Sequence, residues 1–164
     1  MSLVIRRADS KDAGIVLDLV RGLATYEHLL DEVTGTEADL AATLFSSEPH
    51  AFCEIAEWNG HIAGFALWFY NYSTFLCRPG IYLEDLYVHP EYRSHGIGKA
   101  MLAFLARRCL NEKLGRLEWA VLDWNEPSIN FYRSLGAVLK SEWQIFRLTG
   151  TALQALGAQE SPGQ

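Results

Sequence analysis

The apolar residues fall into short blocks whose spacing switches between the period of a strand and that of a helix, with no Pro- or Gly-rich linker between them. Leu3–Arg7 is a short apolar run and predicts a first strand. Asp9 and Ser10 offer a cap to a helix whose apolar face is Ile15, Leu17, Leu19, Val20 and Leu23. Thr36–Phe45 predicts a second helix, opened by Thr36-Glu37-Ala38-Asp39, a capping box that ends in a carboxylate. Phe52–Trp58 and His61–Tyr70 flank Asn59-Gly60. Both central residues of a two-residue hairpin turn need positive φ, which this pair adopts cheaply.

Residues 71–79 read as a loop, and Ile81–His89 as a strand stopped by Pro90. Gly96 to Lys113 predicts a helix buried through Ile97, Ala100, Met101, Phe104, Leu105 and Leu110. Leu117–Trp124 is strand-like. Pro127 suits the first turn of a short helix running to Leu135, which Gly136 ends. Glu142–Leu148 predicts a last strand, followed by a helical turn over Thr149–Leu156. The order β-α-α-β-β-β-α-β-α-β implies an α+β fold in three layers, a mostly antiparallel twisted sheet with helices on both faces. A single domain is expected over 1–158, with a flexible tail over 159–164.

Composition narrows the class. The chain has 164 residues, 49% of them hydrophobic and 21% charged, enough to bury the core of one domain. The net charge of −6 argues against non-specific nucleic-acid binding. Arg6 and Arg7 interrupt any signal-peptide core, and the longest nearly apolar run, Ile62–Tyr70, is too short to span a bilayer. Cys53, Cys77 and Cys109 form no C-x-x-C pair, and the five histidines show no ligand spacing. A cytoplasmic protein is expected, with no membrane contact and no metal. The charge is unevenly spread. No Lys or Arg lies between Arg21 and Arg78, a stretch holding eight carboxylates, whereas Arg93, Lys99, Arg107, Arg108, Lys113 and Arg116 are opposed only by Glu112.

The chemistry concentrates in Val88-His-Pro-Glu-Tyr-Arg93-Ser94-His95-Gly96-Ile97-Gly98-Lys99. A strand stops at a proline, and an Arg-x-x-Gly-x-Gly loop opens a helix. Glycines let backbone N–H groups approach an anion, and the helix N-terminus adds partial positive charge. Arg93 and Lys99 supply full charges, so the segment suits a pyrophosphate. The Walker pattern fails because Ala100 follows Lys99. The dinucleotide fingerprint fails because no third glycine follows Gly98.

Val88-x-Pro-x-x-Arg93-x-x-Gly96-x-Gly98 resembles the central acyl-CoA motif of the GNAT family of acetyl-CoA-dependent N-acetyltransferases. Val121-Leu-Asp-Trp-Asn125-Glu-Pro-Ser128-Ile-Asn-Phe-Tyr132-x-x-x-Gly136-Ala137 resembles the motif that follows it there. The likeness covers nearly the whole chain. Ala24-Thr-Tyr26-Glu27-His, Tyr82-Leu-Glu84-Asp85-Leu-Tyr-Val88 and Glu142-Trp143 further resemble the diamine (spermidine/spermine) acetyltransferase subfamily. Asn71-Tyr-Ser-Thr-Phe75 and Ala120-Val-Leu-Asp-Trp124 resemble its thialysine branch. Ser94 stands where the family usually has Gly. The acid-rich pattern around Glu142 is shortened, and Asp123 replaces a Glu of polyamine-preferring relatives.

The resemblance implies the GNAT fold with splayed central strands, acetyl-CoA as cosubstrate, a small cationic amine as acceptor, and a homodimer. Only about one alkylamine in a thousand is neutral at pH 7, so a base is needed, and the departing thiolate needs an acid. Alternation along Ile81–His89 sets Ile81, Leu83, Asp85 and Tyr87 opposite Tyr82, Glu84, Leu86 and Val88. Glu84 is the implied base; Asp85 reads as a structural carboxylate held by a backbone amide. Tyr132, a protonated phenol at pH 7, is the implied acid, against the alternative of a core tyrosine. Cofactor contacts are implied for Leu86, Tyr87, Val88, the Arg93–Lys99 segment, Asn125, Ser128 and Tyr132. Acceptor contacts are implied for Tyr26, Glu27, Glu84, Glu118, Trp119, Ala120, Glu142 and Trp143. Two other readings stay open, a protein or peptide N-acetyltransferase and a non-catalytic acetyl-CoA-binding module.

Overall fold

The computed structural model describes residues 1–159, so the tail expected over 159–164 lies, from residue 160, outside the described residues. Two compact units make up the chain, Met1–Leu122 and the part from Asp123 onward. The first holds β1 (Leu3–Arg7), α1 (Ala13–Tyr26), α2 (Glu37–Leu44), β2 (Phe52–Trp58), β3 (His61–Ser73), β4 (Arg78–Val88), α3 (Ile97–Asn111) and β5 (Leu117–Trp119). The second holds α4 (Glu126–Ser134) and α5 (Gly150–Gly157). Among the described residues no helix is long and apolar enough to cross a membrane.

The five strands form one sheet in the order β1-β2-β3-β4-β5, antiparallel except for the parallel β4–β5 pair. Asn59 and Gly60 both take positive φ, 51° and 81°, and close the β2–β3 hairpin as their sequence predicts. The Thr36–Asp39 capping box is present: the Thr36 hydroxyl accepts from the Asp39 N–H, and the Asp39 carboxylate accepts from the Thr36 N–H.

Paired residues on neighbouring strands share a face, so register assigns the two sides of the sheet. Cys53, Ile55, Phe65, Leu67 and Tyr87 pack with Val16, Leu19 and Leu23 of α1 and with Leu40 and Leu44 of α2. On the other side the buried Trp68 ring lies 5.2 Å from the guanidinium of Arg108 on α3. Fully buried Phe65, Ile55, Trp68, Ile81, Met101 and Leu105 mark the centre of the core.

Several sequence expectations change. Ile15 and Leu110 point to solvent; Val16 on α1, and Leu102 and Cys109 on α3, take the buried positions. The loop expected at 71–79 is mostly ladder. β3 and β4 stay paired out to Ser73–Arg78, leaving a tight turn in which the Cys77 N–H donates to the Thr74 carbonyl. The strand expected over 117–124 pairs only through Trp119. The strand expected at 142–148 is absent among the described residues. A strand needs a neighbour, and the second unit has no other strand to offer. Trp143, Ile145 and Phe146 are 70%, 79% and 91% exposed.

Candidate active site

The decisive feature of β4 is a bulge. Leu67 pairs with Asp85 and Trp68 with Leu83, so Glu84 has no partner on β3. The extra residue rephases the strand. Leu83 lies with Trp68 on the α3 face, whereas Asp85 lies with Leu67 and Tyr87 on the α1 face, beside Tyr82 and its partner Phe69. The simple alternation expected for Ile81–Val88 therefore fails at one residue. Pairing of β4 with β5 also stops there, at Leu83–Trp119. From Glu84 to Val88 no β5 residue is in register, and the central strands splay.

Beyond the splay, a short 3₁₀ turn at Pro90–Tyr92 leads to the cradle. Ser94 and Gly96 take left-handed φ of 64° and 76°. For Ser94 this conformation costs about 1–2 kcal/mol that glycine would avoid. α3 starts at Ile97, whose buried side chain anchors it, and no side chain caps its N-terminus. The first N–H groups of this 15-residue helix thus remain available to an anion. A Cβ on Gly96 would meet open space, so the glycine serves its φ rather than a contact. His95 Nδ1 lies 2.8 Å from the Arg93 carbonyl oxygen, and Lys99 is exposed. This donor set fits a pyrophosphate.

Arg93 is tied back rather than free. Its Nε donates to the Val88 carbonyl at 3.0 Å, and its guanidinium lies 4.7 Å from the Tyr26 ring and 5.8 Å from the Tyr87 ring. It thereby joins the end of α1 to the end of β4. Gly22 permits this approach, because a Cβ there would sit 2.9 Å from the Tyr87 hydroxyl and 3.0 Å from its ring.

Glu27, the residue after α1, is half-buried, and burial pushes its carboxyl up. Glu84 is exposed at the bulge. Burial, then the charges of Glu84 and Glu27, raise Asp85 to about 7. Burial, with Glu84 and Glu118 nearby, raises the Tyr82 phenol. Glu118 Oε2 is 2.6 Å from Arg116 Nε and accepts from Asn71 Nδ2 at 3.2 Å. Trp119 is half-buried and Ala120 exposed. Among the described residues the Asp85 carboxylate accepts no hydrogen bond, which corrects the expectation of a backbone amide partner.

The second unit holds the rest of the implied set. Buried Asn125 caps α4, its Oδ1 accepting from the Ser128 N–H at 3.4 Å. Tyr132 is half-buried on α4, its ring 5.4 Å from Phe131. Glu142 is held low by an exposed bond from Lys140, and Trp143 is 70% exposed. Within the first unit the structure gathers Tyr26, Glu27, Glu84, Tyr87 and Arg93 around the splay; Tyr82 and Asp85 join them unforeseen. Much of the charge asymmetry is structural. Arg108 pairs with Glu112, Glu57 with Arg6, and Glu54 with Arg7.

Known proteins resemble the chain in sequence and in fold. The model of the acetyltransferase (GNAT) family matches residues 22–137. The chain belongs to that family. It is 38% identical to a thialysine N-epsilon-acetyltransferase of Bos taurus, over 96% of this chain and 98% of that one. It is 32% identical to an L-ornithine N5-acetyltransferase of Arabidopsis thaliana, over 93% of this chain and 86% of the other. An integron cassette protein from the V. cholerae mobile metagenome has the same fold, with a TM-score of 0.80 and 26% identity over 97% of this chain and 99% of that one.

Proposed function

We propose that the chain transfers acetyl from acetyl-CoA directly to the primary amine of a small cationic acceptor, thialysine- or lysine-like, a diamine or a polyamine, within a ternary complex. The observation that carries the reading is the cluster of Glu27, Glu84 and Asp85 beside the open edge of β4, next to an uncapped helix N-terminus. One end suits an anion and the other a cation. The names of the relatives, which act on amino-acid side-chain amines, favour thialysine- or ornithine-like acceptors over longer polyamines.

In this reading the pyrophosphate rests on the amides from Arg93 to Lys99, and the pantetheine arm lies along Leu86–Val88 as an added strand. A β4 N–H then polarises the thioester oxygen. The β4 carboxylates, Glu84 foremost, take the ammonium proton, and the amine lone pair attacks the thioester carbon. Tyr132 returns a proton to the thiolate. Asn125 and Ser128 serve the cofactor; Tyr26, Glu27, Glu118, Trp119, Ala120, Glu142 and Trp143 serve the acceptor. A homodimer accords with the exposed apolar segment around Ile145 and Phe146, and a reducing cytoplasm with three free cysteines.

The test is thiol release from acetyl-CoA in the presence of thialysine, lysine, ornithine, putrescine, spermidine and a basic peptide. Release with the amino acids first is expected; release with the peptide alone would overturn the reading. Tyr132→Phe should lower kcat and leave the KM for acetyl-CoA unchanged.

A further inference from the structure

The loop between β4 and α3 is held by one of its own side chains. His95 Nδ1 lies 2.8 Å from the Arg93 carbonyl oxygen and 3.2 Å from that of Tyr92. Carbonyl oxygens only accept, so Nδ1 carries the ring hydrogen and donates, the Arg93 oxygen being the nearer. The imidazole also packs on the Trp58 ring, with centroids 5.1 Å apart and planes at 54°. Trp58 ends β2 and pairs with Leu3 and His61, so the sheet fixes the ring that backs His95.

These contacts bear on where the loop's amides point. Across a trans peptide the C=O and the following N–H point in opposite directions. Turning the Arg93 carbonyl onto His95 therefore turns the Ser94 N–H to the other side of the loop. The Arg93 N–H is already engaged by the Pro90 carbonyl at 3.2 Å. Among the described residues the N–H groups of Ser94, His95 and Gly96 donate to no protein acceptor. Successive open N–H groups beside left-handed residues form an anion-binding concavity.

That conformation does not hold itself. Ser94 keeps its left-handed φ without being glycine, which persists only where the surroundings over-determine it. Arg93 fixes the start of the loop through the bond from its Nε to the Val88 carbonyl, and Ile97 anchors the end in the core. Between those two points His95 supplies the hydrogen bonds.

We propose that His95 is a positioning residue for the cofactor: its Nδ1–H holds the Arg93 carbonyl and thereby aims the Ser94 N–H, and the amides after it, at the pyrophosphate of acetyl-CoA. The proposal rests on the acetyl-CoA reading above and deepens it. His95 acts on the phosphate end of the cofactor only and touches none of the reacting atoms.

The experiment measures calorimetric affinity for CoA, and kcat and KM with acetyl-CoA and with S-acetylpantetheine, which lacks the pyrophosphate. It uses the full chain, His95→Ala, His95→Asn and His95→Gln, with amide hydrogen exchange of the same proteins free of ligand. His95→Ala should weaken CoA binding about 3–10-fold, the effect of one hydrogen bond, and raise the KM for acetyl-CoA to match. Its kcat at saturation and its kcat/KM with S-acetylpantetheine should equal those of the full chain, and exchange at Ser94–Gly96 should quicken. Asparagine carries an amide N–H where histidine carries Nδ1, so His95→Asn should recover most of the affinity. Glutamine places its amide at the Nε2 position, so His95→Gln should not. Unchanged CoA affinity in His95→Ala overturns the proposal, as does an equal loss with S-acetylpantetheine. So does a His95→Asn protein as weak as His95→Ala, or a His95→Gln protein as tight as His95→Asn. A full chain that binds no CoA overturns the acetyl-CoA reading and this proposal with it.

Discussion

Glu54 and Asp85 are carboxylates of one sheet, one on each face, and both are pushed up by burial. Their surroundings differ in sign. On the α3 face Glu54 is 2% exposed, and Arg7 lies 2.9 Å from it. Trp68 Nε1 donates to Glu54 at 3.4 Å, and the charge of Arg108 acts on it as well. Both guanidiniums lie over the Trp68 ring, at 5.4 and 5.2 Å. On the α1 face the charges of Glu84 and Glu27 act on Asp85. A buried acid with cations around it holds a structure together, whereas one with carboxylates around it is kept at a cost to stability. The difference gives the two faces of the sheet opposite electrostatic surroundings.

The comparison breaks most sharply at Arg7. Arg7→Ala leaves Glu54 buried without its nearest cation, and removing one member of such a pair typically costs about 3–5 kcal/mol. The urea midpoint should fall accordingly, while kcat per folded molecule stays unchanged. A loss of kcat without loss of stability would show that the two faces are not separate in function.

The second effect is smaller and depends on pH. Asp85 titrates at about 7 in the fold, against about 3.9 for an unfolded Asp. Its contribution is fully present below about pH 4 and is lost as pH rises through about 7, where the native state must carry the charge. Asp85→Asn should therefore match the parent in stability near pH 4 and exceed it at pH 8, by on the order of 2–4 kcal/mol. Urea midpoints at pH 4, 6 and 8 read this directly. A midpoint that drops at pH 8 would mean that Asp85 has a cation partner and resembles Glu54 after all.

That the two carboxylates have opposite surroundings is hard to read from sequence, and the reason is local. The Asn59-Gly60 hairpin and the Thr36–Asp39 box are legible because each is written in residues a few positions apart, whose conformational preferences suffice. The loop that opens α3 is legible for the same reason: Gly96 does take a left-handed φ and does precede the helix. No residue type marks the bulge in Leu83-Glu84-Asp85-Leu86. It exists through pairing with Leu67 and Trp68, which lie far away in sequence, and a one-residue shift reverses every face beyond it. Alternation thus singles out Glu84 and misassigns Asp85. The segment 142–148 fails in a related way. Its β-branched and aromatic residues satisfy strand propensity, but a strand forms only against a neighbour, which composition does not supply.

The finest test separates charge from shape on the supporting face. Arg7→Lys keeps a cation near Glu54 but removes the planar guanidinium, which lies 4.8 Å from the Phe52 ring and 5.4 Å from the Trp68 ring. If the charge of Arg7 is what Glu54 requires, most of the stability lost in Arg7→Ala returns. The remaining deficit is then the stacking alone, about 0.5–1 kcal/mol for a partly exposed cation over a ring. The side chain of Arg7 is 39% exposed, so the ammonium of a lysine can remain solvated while still reaching the carboxylate. A double-mutant cycle combining Arg7→Lys with Trp68→Phe isolates the ring's share, because the charge on Glu54 is common to all four proteins. A coupling close to zero would assign the pairing to charge alone. A lysine variant as unstable as the alanine one would mean that guanidinium geometry, not its charge, keeps Glu54 in the core.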